Sequence, residues 1–511
     1  MTFAELSAEH QSLNVRYGAE LLSLRKIISR QDTLIDKLTL EIAQLKRLRF
    51  GASSEASALL DIQGQLFPVD SIELPTSDAA FKPRIRSLAE IAAPDPVKPK
   101  RTLLPPALPR TEVILDLPEA EKAGLVLIGT EQSEKLHYEP GQFSVVVTVR
   151  SKYAQLNNPD AGVRYAPLVP CVIPGGLLDA SVIAQVAVAK FADHQPLSRQ
   201  VEIFKRSEVE LSVSMLSETL LTVADIWLKP LVSALWRELK SSLVMHVDET
   251  VLATLPEKGK ALGKTRKTRL WTYTVGGIVL YHYTEDKAGA HVREVLANWP
   301  QGRRVYLQAD AASNYDALYR QQPLIHEVGC WAHARRKFFA IAEGSKVPVF
   351  AHTAIALIDQ LFAIEREIKP LADADKLAAR QAQARPVLAQ IKQSFDDKLH
   401  GITPKSPTAG AISYVLKNMA ALSRYTEQAY LKPDNNAAER ALRKAALGRK
   451  NFLFVGSKRG GEAAAVYYSL IETAKANGLE PWAWLKHVLN ELPKRKTSNY
   501  DDVKDLLPIK R

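Results

Sequence analysis

At 511 residues the chain is too long for a single compact core, and about three or four domains are expected. Its 46% hydrophobic and 24% charged content is that of a globular protein, while a net charge of +12 and a pI near 9.4 point to a polyanionic partner, nucleic acid before membrane. Two cysteines, Cys171 and Cys330, exclude a disulfide framework and a four-cysteine zinc site, and the lack of a basic-then-apolar leader or an uninterrupted apolar run of ~20 residues reads as a soluble, cytoplasmic chain with no membrane partner.

The first predicted element is an oligomerisation helix in residues 1–50. Residues 13–50 lack Gly and Pro except at Gly18, and Leu21, Ile28, Ile35 and Ile42 fall seven apart. Leu24, Gln31, Leu38 and Leu45 interleave with them, giving mostly isoleucine at a and leucine at d, the pattern of a parallel dimeric coiled coil. Glu20 and Glu41 at g then precede Arg25 and Lys46 at e, as interchain pairing requires. Ile27 and Leu34, also at g, widen the stripe, so packing on the chain's own body is the alternative. Residues 51–110 become rich in small residues and then in proline (Pro94, Pro96, Pro99, Pro105, Pro106, Pro109) and read as a linker.

Residues 111–175 alternate apolar and polar in places, as in Phe143 to Arg150, and predict a small β-rich module. Residues 176–241 turn helical, with helices expected over 180–191, 198–206 and 212–236 and Ser212 capping the last. That suits a helix-turn-helix DNA reader, or equally plain helical packing between domains.

The next stretch, 242–340, is the most orderly. Strands are predicted at 243–247, 270–276, 278–283, 303–309 and 325–330, with helices at 287–299, after Asn314 and at 333–339. The order β-β-β-α-β-α-β-α is that of an RNase H-like mixed five-stranded sheet with helices, in a multidomain α/β chain. The first strand is expected to end at Asp248 and the fourth at Asp310. Residues 341–430 are Ala-, Gln- and Lys-rich and read as a helical insertion. Helices return in 431–493, at 435–446 carrying Glu439 and at 460–477, before a basic tail at 494–511.

Asp248, Asp310 and Glu439 are the candidate catalytic and metal-binding residues. Phosphoryl transfer asks for hard cations that hold attacking and leaving oxygens, and Mg²⁺ is satisfied by two or three carboxylates. A charge at the end of a buried strand also needs a reason to be there. Cys330 and His333, three apart, resemble half a zinc site with no second pair to complete it; bracing the active-site edge or contacting DNA is the alternative. Basic clusters flank these acids: Arg335, Arg336 and Lys337; then Arg440, Arg443, Lys444, Arg449 and Lys450; then Lys458 and Arg459 before a Gly pair. These are the candidate DNA contacts. Gly259–Thr265 imitates a P-loop, but three residues rather than four separate its glycines, and an ATPase reading fails there.

The strings Cys330-Trp-Ala-His-Ala-Arg-Arg-Lys-Phe338, Asp434-Asn-Asn-Ala-Ala-Glu-Arg440, Gly448-Arg-Lys-Asn451 and Tyr468-Ser-Leu-Ile-Glu-Thr-Ala-Lys-Ala-Asn-Gly478 closely resemble bacterial transposases of the insertion sequence 66 family. The resemblance runs from about Leu178 to Leu492, and Leu45-Lys-Arg-Leu-Arg-Phe-Gly51 is similar as well. It implies a DDE transposase that nicks element ends and uses the freed 3′-hydroxyl to attack target DNA, with Asp248, Asp310 and Glu439 as its carboxylates. It implies Mg²⁺, with Mn²⁺ able to substitute, double-stranded DNA as partner (terminal repeats and target), and accessory proteins of the same element. Cys330 and His333 look like the Cys-x-x-His element of several such groups, in a supporting role. Relatives carry cysteine pairs where Leu125–Asn158 has none, so structural zinc is not expected here. The rival readings are an RNase H-like nuclease that cuts without joining, and a non-catalytic DNA-binding descendant of a transposase.

Overall fold

The computed structural model describes residues 143–147, 152–154, 163–165, 170–256, 265–345 and 349–510, with single positions Tyr17, Glu20, Ile27, Gln31 and Leu34. Those five positions are helical and exposed; the remaining coiled-coil expectation and the 51–110 linker lie outside the described residues. The chain divides into two units, one of Ser71–Tyr165 and one of the rest.

In the smaller unit, β1 (Lys152–Ala154) pairs antiparallel with β2 (Val163–Tyr165). Residues 143–147, expected to lie in a strand, are instead irregular, with Val145 89% exposed. Alternation on its own makes no strand where no neighbour offers a ladder.

The larger unit begins with α1 (Ala180–Phe191), α2 (Leu197–Lys205) and α3 (Val213–Val223). Ser212 caps α3 as expected, its Oγ accepting the Met215 N–H at 3.1 Å. The helix does not stop at 236: a π-helical turn, Ala224–Leu228, carries it into α4 (Lys229–Lys240). The run 213–240 is long and apolar enough to cross a bilayer, yet Leu216, Leu220, Leu228, Leu235 and Leu239 are all buried in the main core. The helical region is thus packed into the same core as the sheet.

Five strands follow in the expected order: β3 (Val244–Thr254), β4 (Arg266–Val275), β5 (Ile278–Thr284), β6 (Val305–Gln308) and β7 (Ile325–Val328). The sheet order is β5-β4-β3-β6-β7, with β3, β4 and β5 antiparallel and β3, β6 and β7 parallel. Gly276 and Gly277, at φ +55° and +86°, make the tight β4–β5 turn that only left-handed backbone allows. The parallel crossovers run through α5 (Gly289–Leu296) and α6 (Asp316–Gln321). Trp271, Tyr273, Leu280, Leu307 and Val247 are fully buried, so the sheet is the centre of the core.

After α7 (Trp331–Ala342) come α8 (Phe350–Ile368), α9 (Asp373–Ala379), a second π-helical turn Arg380–Ala384, α10 (Arg385–His400), α11 (Pro407–Lys417) and α12 (Met419–Ser423). They build their own hydrophobic cluster around Leu361, Ile391, Phe395 and Ile412, which reaches the sheet through Tyr306, Val328, Trp331 and Phe338. The chain returns with α13 (Asn436–Phe452), α14 (Lys458–Ala476) and α15 (Pro481–Glu491). α14 lies so close to β5 that a Cβ at Gly461 would strike the Tyr283 ring. The C-terminal segment differs from a basic tail: a short helix, α16 (Tyr500–Val503), packs against α4, burying Val503, Leu506 and Leu507. Its cations are spent on intrachain pairs such as Arg495 with Asp505 at 2.9 Å.

Candidate active site

Asp248 and Asp310 are brought level by the parallel pairing of β3 and β6. Val244 faces Tyr306 and His246 faces Gln308, so two residues further along each strand lie the two aspartates. The sequence expectation placed both at strand ends; only β6 ends there. β3 continues past Asp248 to Thr254, held on its other side by β4 as far as Arg266. Asp248 therefore stands where β3 loses one neighbour and keeps the other. Each aspartate is fixed by a backbone donor: Glu249 N–H to Asp248 Oδ1 at 2.8 Å, and Ala312 N–H to Asp310 Oδ1 at 3.2 Å. Ala311, at φ +56°, turns the chain sharply after Asp310. Tyr414 of α11 donates its hydroxyl to the Asp310 carbonyl at 2.8 Å.

Glu439 arrives on the first turn of α13, and the loop before it is clamped to the same strand ends. Gln308 Nε2 donates to the carbonyls of Lys432 and Asp434, the latter at 2.7 Å. Trp331 N–H donates to the Pro433 carbonyl at 2.8 Å. Asn435 Nδ2 donates to the Val247 carbonyl at 2.7 Å, and its Oδ1 lies 3.1 Å from His246 Nδ1. Leu243 presents its carbonyl to β6, bonding Tyr306 N–H, and strand alternation turns the Val247 carbonyl the same way. Asn435 thus takes up the ladder position that β6 has left. His246, Gln308 and Asn435 are all buried polar residues, and Asn435 is 0% exposed.

The carboxylates feel one another. Burial pushes Asp248 up to about 7, helped by Glu439, Asp310 and Glu249 and opposed by the Glu249 N–H. Burial also raises Glu439, with Asp434 and Asp310 adding to it and Arg336 opposing. Glu439 is 7% exposed; Arg336 Nη2 lies 3.2 Å from its Oε2, and His333 Nδ1 lies 3.3 Å from its Oε1. Burial and the neighbouring Arg336 push His333 down to about 4, opposed by Asp310. Burial drives the Cys330 thiol well above its usual range, and its Sγ accepts the Asn435 N–H at 3.2 Å.

The basic residues divide into two groups. Arg335 makes a two-pronged pair with Asp359 of α8 at 2.7 and 3.1 Å, Arg336 holds Glu439, and Arg449 braces β3 through Thr250 Oγ1 and the Val251 carbonyl. Arg459 pairs with Glu218 and Asp225 at 2.7 Å each, and Lys458 lies 3.5 Å from Glu285. Lys337 sits over the Tyr414 ring at 4.5 Å, and Arg443 is half-buried. Arg440, Lys444 and Lys450 are exposed along α13, with no ion-pair partner among the described residues. A cavity of about 530 Å³ lined by residues including Trp236, His282, Asp286 and His291 contains none of the three carboxylates. Gly259–Thr265, the P-loop imitation, joins antiparallel β3 and β4 rather than a strand and a helix.

Sequence reasoning missed His246, Gln308, Tyr414 and Asn435. Two of them carried a signal: His246 and Gln308 are polar residues inside apolar strand runs, where a buried polar side chain requires a partner.

Comparison with known proteins agrees with this arrangement. A family model described as "Transposase IS66 family" matches residues 175–463, one described as "IS66 C-terminal element" matches 469–509, and one described as "Transposase C of IS166 homeodomain" matches 37–113. Similar proteins from Sinorhizobium fredii include "Uncharacterized protein y4qI", 32% identical over 96% of this chain and 92% of its own length. "Uncharacterized protein y4jD" is 32% identical over 92% and 94%, and "Uncharacterized protein y4hP" is 29% identical over 88% and 85%. No solved structure matches the chain.

Proposed function

This chain belongs to the transposase IS66 family, and on that premise we propose that it is a DDE transposase with an RNase H-like core that cuts DNA at element ends and joins the freed 3′-hydroxyls to target DNA. The observation that carries the reading is the convergence of Asp248 and Asp310, level on adjacent parallel strands, with Glu439 clamped to the same strand ends through Asn435. Three oxygen-bearing side chains suit hard divalent ions, and the Oδ2 of each aspartate has no hydrogen bond among the described residues. Asp248, Asp310 and Glu439 would hold two Mg²⁺, or Mn²⁺ in their place. Bound there, the ions supply Lewis-acid activation and neutralise charge developing on the phosphoryl group.

The rest of the work falls to the chain itself. Asn435 and Gln308 fix the loop that aims Glu439, and Tyr414 holds the turn after Asp310. Arg336 orients the Glu439 carboxylate between turnovers. Arg440, Lys444 and Lys450, exposed on the helix that carries Glu439, are the cations free to grip DNA phosphates. The other cations expected at DNA, Arg335, Arg449 and Arg459, serve first as internal braces. Two element ends must be brought together before joining, which gives residues 13–50 their purpose as a homodimer contact. Accessory proteins of the element are further candidate partners, and the bacterial cytoplasm is the site of action.

The test is strand cleavage and joining on duplexes carrying the element's terminal repeats, with Mg²⁺ or Mn²⁺, comparing wild type with Asp310→Asn. Joined products that vanish in the variant support the proposal. Cleavage without joining favours a nuclease, and tight binding with no cleavage, accessory proteins included, favours a non-catalytic binder.

A further inference from the structure

Cys330 and His333 read in the sequence as half of a zinc site lacking its other half. The fold supplies a third ligand from far along the chain. Cys330 precedes the first turn of α7 and His333 lies one turn on, so both face the same way. Across from them stands Glu439 on α13, and one ligand atom from each of the three residues lies within 4.8 Å of the others.

The contact between His333 and Glu439 is the telling one. His333 Nδ1 is buried and has no hydrogen-bond partner, although Glu439 Oε1 is 3.3 Å away. A ring nitrogen and a carboxylate oxygen that face each other without a hydrogen bond between them are placed as two ligands of one cation. Arg336 approaches Glu439 mainly at Oε2, leaving Oε1 toward the histidine. Cys330 Sγ takes one backbone N–H, from Asn435, and as a sulfur has room for a metal.

We propose that Cys330, His333 and Glu439 form a binding site for a borderline-soft divalent cation of the Zn²⁺ class, with an open fourth position. The donor set of one thiolate, one imidazole and one carboxylate selects zinc and its neighbours over Mg²⁺, which takes oxygen ligands. Binding releases the Cys330 proton to solvent and forms the metal–sulfur bond in its place. Under the transposase reading, Glu439 is claimed by both this site and the Mg²⁺ centre. Zinc occupancy there withdraws a catalytic carboxylate, making the site an inhibitory one.

The test needs no DNA and no activity, so it stands or falls apart from the transposase reading. The full-length chain, stripped of metal, is titrated with Co²⁺ while a thiolate-to-cobalt charge-transfer band is followed in the near ultraviolet. One equivalent should produce the band. Zn²⁺ should bleach it, and excess Mg²⁺ should leave it intact. With only two cysteines in the chain, Cys171→Ser must retain the band and Cys330→Ser must lose it. His333→Gln and Glu439→Gln should keep a thiolate band but weaken cobalt binding by about 10–100-fold, the range seen when support of a metal ligand is lost. Absence of the band in wild type, its loss in Cys171→Ser, its bleaching by Mg²⁺, or unchanged affinity in His333→Gln would each overturn the assignment. Wild type and Cys171→Ser alone decide the matter should Cys330→Ser fail to fold.

Discussion

The clamp at Asn435 makes a quantitative prediction. Replacing Asn435 by Ala leaves the Val247 carbonyl and His246 Nδ1 without their partners, both at a residue with 0% exposure. A buried polar group left unpaired costs about 1–3 kcal/mol, so two such groups put the loss at about 2–6 kcal/mol. At ~2 °C per kcal/mol for a unit of this size, melting should fall by roughly 4–12 °C. Asn436→Ala is the control, because Asn436 Oδ1 already lacks a hydrogen-bond partner, and its melting should move little. The same change loosens the helix one turn before Glu439. Strand cleavage should therefore fall by about 100-fold, the scale of a misplacement near 1 Å, at unchanged DNA affinity. The assays are thermal melting of both variants and cleavage of a terminal-repeat duplex at saturating Mg²⁺. If Asn435→Ala melted within ~1 °C of wild type, or cleaved as fast, the clamp would not be what aims Glu439.

Arg380→Met should cost about 3–5 kcal/mol, read as a lowered melting temperature, since it strands Glu365 and the carbonyls of Tyr425, Gln428 and Leu431 that the buried guanidinium holds. Lys190, which burial pushes from its ordinary 10.5 down to about 8, carries a pH signature. Its folded value lies below its unfolded one, so the penalty of burying the ammonium is complete below pH 8 and lifts as pH rises toward 10.5. Wild type should gain on Lys190→Met in urea unfolding between pH 8 and pH 9.5, by less than the full shift because the Phe452 ring, 4.7 Å from Nζ, favours the charged form. DNA binding should separate the two groups of cations. Lys444→Ala and Lys450→Ala should each flatten the salt dependence by about one unit of slope, while Arg449→Ala should lower melting and leave the slope alone.

The sheet was legible because its strands are short apolar runs bounded by Gly, Pro and charge, and element order needs no more than that. The boundary of β3 was not. Beyond Asp248 the residues Glu249, Thr250 and Val251 are half-buried with a neighbour on one side only, so the apolar signal fades while the ladder to β4 continues. The three carboxylates were legible as residue types in motif, and their convergence was an expectation from strand order. What holds them was hidden, since Asn435 caps a ladder that exists only once β6 has stopped. Charge was the least legible property. Arg335 looks like a phosphate grip until α8 brings Asp359 to it, and Arg459 until α3 and the π-helical turn bring Glu218 and Asp225. A sequence displays which residues are cationic, whereas the fold decides which have already found a partner.

The helical insertion illustrates why that decision bears on the active site. Arg380 sits on a π-helical turn, where one extra residue per turn swings its side chain into the carbonyls of 425–431. That segment leads directly into Lys432–Asn435, the loop that Gln308, Trp331 and His246 hold against the strand ends. Tyr414, on another helix of the insertion, holds the turn after Asp310. The insertion therefore touches two of the three carboxylate positions from outside the sheet, once through the loop that sets Glu439 and once through the backbone of Asp310. A contact made on its far surface, by DNA or by a second copy of the chain, would reach the carboxylates through these two connections. An insertion merely looped out of the fold would offer neither.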